Sequence, residues 1–248
     1  AAKGATVVTT PKLAAKSADI VISMVTDINA SKAVWLDSEI GALSGMNQNT
    51  IAIESSTLTV NWVKELAPEI TNRGIGFLDA PVVGTRPQAD SGNLVYLVGG
   101  KAEILKQAEN ILLSAGGRKI NHVGEIGEGM AMKLAVNAMF GIQIAAFAEV
   151  IGMLTKNGLE LEKAIQYLSD LPVISPAVKN AANLILKDNH QAMFPIDLVE
   201  KDFRYVMQTA ADIEAKIPIS EAIHQIYLDA VNKGYGGNNI TGVAKLFI

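Results

Sequence analysis

The sequence changes character once, and that change limits the fold more than any other feature. Up to about Gly124, short apolar runs alternate with stretches of helical spacing; beyond "KINHVG" the strand signals stop. Strand candidates are Ala5–Val8, Asp19–Val25, Thr50–Ser55, Gly76–Val83 and Leu94–Gly100, while Val60–Gly74 and Lys101–Gly117 repeat apolar residues at helical spacing. Strand-length runs with little polar alternation are buried on both faces, as in a mostly parallel sheet covered by helices. The expectation is a doubly wound α/β part at 1–126, followed by an all-helical part at 127–248 broken at Gly158, Pro172, Pro176, Pro195 and Pro218.

Composition narrows the function classes. The 248 residues are 49% hydrophobic and 19% charged, as in packed globular proteins. A formal net charge of −4 without any run of Lys or Arg offers no footprint for nucleic acid. No cysteine is present, so disulfides, thiolate metal sites and cysteine nucleophiles are excluded. His122, His190 and His224 lie too far apart in sequence for a short-spaced helical metal site, so no metal is expected. The opening "AAKGATVVTTPK" lacks the pattern of a secretory signal, and a cytoplasmic location is expected. Met130–Leu154 carries only Lys133 and Glu149 as charges. Such a run reads either as a membrane span or as a buried helix shared by both halves; the second is preferred, because a lone span amid α/β signals is unusual.

Inside that run, "GEGMAMKLAVNAMFG" places Lys133 and Asn137 four residues apart, on one helical face. A lysine in low dielectric has its pKa pushed down, which suits it to proton transfer near neutral pH, and Asn137 adds a neutral donor and acceptor for a substrate oxygen. The structural alternative is that Lys133 extends its ammonium to water while Asn137 satisfies nearby backbone. Gly124, Gly127 and Gly129 ahead of the pair remove side chains where another backbone or a ligand could approach.

"GEIGEGMAMKLAVN" resembles the lysine-and-asparagine helix motif of the β-hydroxyacid dehydrogenases, which include the 3-hydroxyisobutyrate dehydrogenases and the glyoxylate/succinic semialdehyde reductases. Three further stretches agree in order: "ESST" at Glu54–Thr57, "DAPVVGTRPQADSGNLVYLVGG" at Asp79–Gly100, and "FPIDLVEKD" at Phe194–Asp202. The resemblance implies an NAD- or NADP-dependent oxidoreductase acting on a small carboxylic-acid substrate, a β-hydroxy acid or its aldehyde acid. It also implies a dinucleotide-binding half, a helical half like the C-terminal domain of 6-phosphogluconate dehydrogenase, and a homodimer or homotetramer. By that likeness Lys133 is the general acid/base and Asn137 positions the substrate. Thr57 lies near substrate and nicotinamide, Lys201 closes the site, and Phe194 packs near the nicotinamide. Met24, Val25 and Thr26 form the turn beneath ribose and phosphates, and Val83, Gly84 and Thr85 contact the substrate.

Two departures accompany the likeness. No GxGxxG loop occurs between a first strand and helix, so an N-terminal segment with that loop is expected to be missing and dinucleotide binding by this chain to be weak. In the substrate loop Val83 stands where the family commonly has serine, and valine cannot donate a hydrogen bond. Either Thr85 supplies the hydroxyl from a shifted position, or backbone and Asn137 hold the acid group. Gln88 narrows the pocket on this reading, and Arg86 either meets a second acidic group or is solvated. The rival class is a non-catalytic binding module that keeps the dehydrogenase fold.

Overall fold

The computed structural model describes residues 4–248, which form two compact units, one reaching to Lys133 and the other spanning Leu134–Ile248. In the first unit β1 (Ile20–Ser23), β2 (Ile51–Glu54) and β3 (Gly76–Asp79) run parallel, with Ser23 opposite Glu54 and Glu54 opposite Asp79. The neighbour of β3 is β5 (Leu94–Gly100), which runs antiparallel to it; β4 (Val82–Val83) pairs antiparallel with β5, and β6 (Gly117–Gly124) pairs parallel with β5. The sheet is therefore mixed.

Its faces are separated by the pleat. Ala52 and Phe77 point into one core with α3 (Val60–Thr71), whose Trp62, Val63, Leu66 and Ile70 recur at helical spacing. Ile51, Ile53 and Leu78 point into the other, where Ala108 and Leu112 of α5 (Ala102–Ser114) cover them. Each such aliphatic side chain contributes about 1.5–3 kcal/mol by leaving water. Helix α3 starts where it does because the Thr59 hydroxyl accepts the N–H of Trp62. The short helices α1 (Pro11–Ala15) and α2 (Ile28–Leu36) begin in the same way at Thr10 and Asp27.

Two strand expectations need correction. Ala5–Val8 is exposed and forms no strand; it has no paired neighbour among the described residues, and β-propensity without a partner makes no ladder. The single run expected at Gly76–Val83 is interrupted at Ala80–Pro81 but keeps its direction: β3 and β4 lie against β5 in one antiparallel register, Asp79 opposite Gly99 and Val82 opposite Tyr96. The proline ring has no N–H to donate, and Pro81 serves the ladder only as an acceptor, for the N–H of Leu97.

Helix α6 (Glu128–Lys156) starts in the first unit and continues unbroken into the second, which adds α7 (Leu161–Ser169), α8 (Pro176–Leu186), α9 (Ile196–Asp212), α10 (Pro218–Asn232) and a 3-10 segment at Ile240–Leu246. In the second unit Ile144, Phe147 and Ile151 of α6 enter a core with Phe203 of α9 and Tyr227 of α10, whose rings stack at 5.6 Å. Gly141 makes that packing possible: a Cβ there would lie 2.5 Å from the Phe203 ring. By length and composition α6 could cross a membrane, yet 44% of its most apolar window is buried inside the protein.

Candidate active site

The row Ser23, Glu54, Asp79 ends three adjacent parallel strands, the edge outside which open α/β sheets bind ligands. Asp79 is fully buried, and its carboxylate accepts the N–H of Gly127 at 2.8 Å and of Met130 at 2.7 Å. It thereby supplies, from β3, the cap that the first turn of α6 needs. Burial pushes the Asp79 carboxyl above the usual carboxylate value, opposed by these backbone donors, and the Glu128 charge adds to the rise. Gly129 lets the helix come this close, since a Cβ there would meet the Leu97 carbonyl at 2.5 Å. The N–H of Leu58 reaches the Met130 sulfur at 3.2 Å, which docks the loop carrying Thr57 against the same turn. Lys133, partly buried, follows Met130 by three residues, and buried Asn137 comes one turn later.

In the second unit the Asn137 amide donates to Oδ2 of Asp202 at 2.6 Å, while Oδ1 of Asp202 pairs with the Lys201 ammonium at 3.1 Å. All three residues are buried, and the Lys201 ammonium also lies 4.9 Å from the centre of the Tyr205 ring. Asp202 thus fixes which end of the Asn137 amide faces it: the NH2 group turns to the carboxylate. The motif segment contains this aspartate, but only the lysine was singled out from the sequence. An acidic residue beside a lysine on a helix is ordinarily a solvated pair, so nothing in the sequence marked it. Phe194, just before α9, is partly buried against the core of this unit.

The turn Met24–Thr26 follows β1, with Met24 and Thr26 exposed. Its Val25 N–H donates to the Ser56 hydroxyl at 2.8 Å, so turn and Thr57 loop are joined. Val83 lies on β4 opposite Val95, and Gly84 has φ +137°, where a side chain would also strike Leu94. The Thr85 hydroxyl donates to the Gln88 side-chain oxygen at 2.8 Å, and the Thr85 N–H reaches the same oxygen at 2.9 Å, closing a capping box at the start of α4 (Arg86–Asp90). Gln88 thus occupies the hydroxyl that could replace the missing serine. Arg86 is exposed.

The strand ends fit the sugar and amide end of NAD(P). The hydroxyls of Ser23 and Ser55 are buried there without a hydrogen-bond partner, an arrangement that suits neutral ribose and carboxamide groups. The chain itself fills two helix starts that could otherwise receive an anion: Asp27 Oδ1 accepts the N–H of Ala30 at the start of α2, and Asp79 accepts the N–H groups of Gly127 and Met130 at the start of α6. The histidines have local duties: His122 contacts the Gly100 carbonyl, His190 contacts Thr241 and Asp188, and His224 contacts Glu200. Among the described residues no cluster of three His, Asp or Glu side chains could hold a metal.

Two family models cover the chain: the NAD binding domain of 6-phosphogluconate dehydrogenase matches residues 1–127, and the NAD-binding domain of NADP-dependent 3-hydroxyisobutyrate dehydrogenase matches 127–247. The mitochondrial 3-hydroxyisobutyrate dehydrogenase of Drosophila melanogaster is 30% identical, over 99% of this chain and 77% of its own length. The L-threonate dehydrogenase of Cupriavidus necator is 27% identical, over 92% and 77% respectively. The fold agrees with the crystal structure of a 3-hydroxyisobutyrate dehydrogenase from Salmonella typhimurium, at a TM-score of 0.85 and 22% identity over 96% of this chain and 82% of that one. These matches show that the chain belongs to the β-hydroxyacid dehydrogenases, NAD(P)-dependent oxidoreductases of small hydroxy acids.

Proposed function

We propose that the chain interconverts a small β-hydroxy acid and its aldehyde acid, with Lys133 as general acid/base. The observation that carries this reading is the buried Asn137–Asp202–Lys201 chain, which orients an amide one helical turn from Lys133. In oxidation the Lys133 amine takes the hydroxyl proton, and in reduction its ammonium returns that proton to the new alkoxide. NAD(P) supplies or accepts the hydride when bound. Asn137 presents its carbonyl end to the substrate hydroxyl, because Asp202 holds the NH2 end. Met24, Val25, Thr26 and Thr57, with the buried Ser23 and Ser55, are the residues that would hold the nicotinamide-ribose end of the cofactor; for Phe194 and Lys201 a cofactor role is supported by the family likeness of their segment alone. Residues 1–126 act as the dinucleotide-binding part and 127–248 as the substrate and assembly part.

The substrate's acid group is met at Thr85. A carboxylate accepts a hydrogen bond more strongly than the neutral Gln88 amide, so it displaces Gln88 from the Thr85 hydroxyl and N–H, which compensates for Val83. A homodimer or homotetramer in the cytoplasm completes the reading. Its support is an apolar stripe on α6, where Met139, Ala146, Val150 and Met153 are exposed at heptad-like spacing.

The test is a steady-state assay with NAD+ and NADP+ over 3-hydroxyisobutyrate, L-serine and L-threonate, and with NADH and NADPH over glyoxylate and succinic semialdehyde. Lys133→Ala is expected to lower kcat about a hundred- to ten-thousandfold with the melting temperature kept. Undiminished turnover in that variant removes Lys133 from the chemistry. A wild-type chain that turns over none of these compounds and binds neither cofactor favours the non-catalytic module.

A further inference from the structure

Glu54 closes β2 with no exposed surface, and both its oxygens accept hydrogen bonds. Oε2 receives the Ser31 hydroxyl at 2.7 Å and the Trp35 indole N–H at 2.8 Å; Oε1 receives the backbone N–H of Ser56 at 2.9 Å. Direction in this network is fixed by its ends. The Trp62 indole N–H can only donate, and it donates to the Ser31 hydroxyl at 3.0 Å, so the Ser31 proton is directed at Glu54. On the other side Ser56 accepts the N–H of Val25. One side chain therefore links four segments: α2 through Ser31 and Trp35, α3 through Trp62, the loop after β2 through Ser56, and the turn after β1 through Val25.

Packing does not call for this arrangement. A buried carboxyl is costly in an apolar core, and an aliphatic residue would fill the same space more cheaply. What the carboxyl uniquely provides is acceptors in two directions at once, toward the tryptophans and toward the Met24–Thr26 turn. Trp35 and Trp62 are also the two tryptophans of the chain, so its indole emission originates at this network.

We infer that Glu54 is a positioning residue for the dinucleotide, holding the Met24–Thr26 turn through Ser56 and transmitting its occupancy to Trp35 and Trp62. This rests on the reading of that turn given above. When the turn closes on a nucleotide, the Val25–Ser56–Glu54 arm is pulled or relaxed, and the hydrogen bond to the Trp35 indole changes with it.

Two variants divide the network. Glu54→Gln preserves size; its amide oxygen can keep Ser31 and Trp35, which leaves its NH2 facing the Ser56 N–H, donor against donor. Ser56→Ala removes the acceptor of the Val25 N–H and touches neither indole. Amide hydrogen exchange without nucleotide is expected to quicken at Val25 by about tenfold or more in both variants, with Ala52 and Phe77 still protected. Calorimetric titration of the chain with NAD+ and NADP+ is expected to show about tenfold weaker binding in both variants. Tryptophan emission, followed in the same titrations with these oxidised forms, is expected to change on binding in the wild type and not in Ser56→Ala, a signature that loss of packing alone would not give. Should Glu54→Gln fail to fold, Ser56→Ala carries the whole test.

Wild-type Val25 exchange in Ser56→Ala, or wild-type affinity with an unchanged emission response, overturns the positioning role while leaving the cofactor turn intact. A wild-type chain that takes up neither dinucleotide in the calorimeter overturns the reading of the turn, and the positioning role with it.

Discussion

At the scale of single residues, the chain shows how far side-chain type alone can indicate chemistry. Lys133 and Asn137 stood out because a lysine and an asparagine in an apolar helix each require a reason. Asp202, Glu54 and Asp79 did not, although the structure gives each buried carboxyl two or three partners. Their partners lie 23, 51 and 65 positions away in some of these contacts, and no local pattern encodes such distances. Gln88 is a similar case, since a capping box is visible as Thr-x-x-Gln, but its conflict with the substrate loop appears only once the bonds are drawn. Its consequence can be measured. Removing the competing acceptor in Gln88→Ala is expected to lower KM for the hydroxy acid severalfold with little change in kcat, read from initial rates. A rise in KM would show that Gln88 itself supports substrate.

At the scale of elements, the expected strands at Asp19–Val25, Thr50–Ser55 and Leu94–Gly100 are present, because each is an apolar run with neighbours to pair. Ala5–Val8 has the same composition and no neighbour, which composition cannot reveal. The reversal between β4 and β5 was hidden for a related reason: strand direction belongs to the pair, and propensity is blind to it. The join between β3 and α6 carries a pH signature. Burial raises the Asp79 carboxyl, so the folded state holds that proton more tightly than the unfolded chain does. This contribution to stability is therefore fullest below the ordinary carboxylate value and declines as pH rises through the raised one. The difference in melting temperature between the wild type and Asp79→Asn is expected to follow that direction between about pH 4 and neutrality. A difference independent of pH would show that Asp79 titrates alike in both states.

At the scale of the whole molecule, the change from alternating to all-helical sequence was legible because it spans a hundred residues, enough for periodicity to overcome local exceptions. A surface that could join copies of the chain was less so. The stripe of Met139, Ala146, Val150 and Met153 is indistinguishable in sequence from the buried face of the same helix, since both are apolar. Only exposure separates them. If the stripe joins copies of the chain, Met139→Lys with Met153→Lys should shift the species in sedimentation to the monomer mass and leave helix content unchanged. An unaltered sedimentation profile would place the contact elsewhere.

The unbroken course of α6 past Lys133 and Asn137 has one more consequence. A single alanine inserted between them would swing everything downstream by about 100° and advance it by about 1.5 Å. If Lys133 moves the proton and Asn137 holds the substrate, as proposed, the two would then look in different directions, although the polypeptide had lost none of its chemistry-bearing groups. The spacing of these two residues is a ruler engraved in the backbone, and an error of one graduation is enough to silence it.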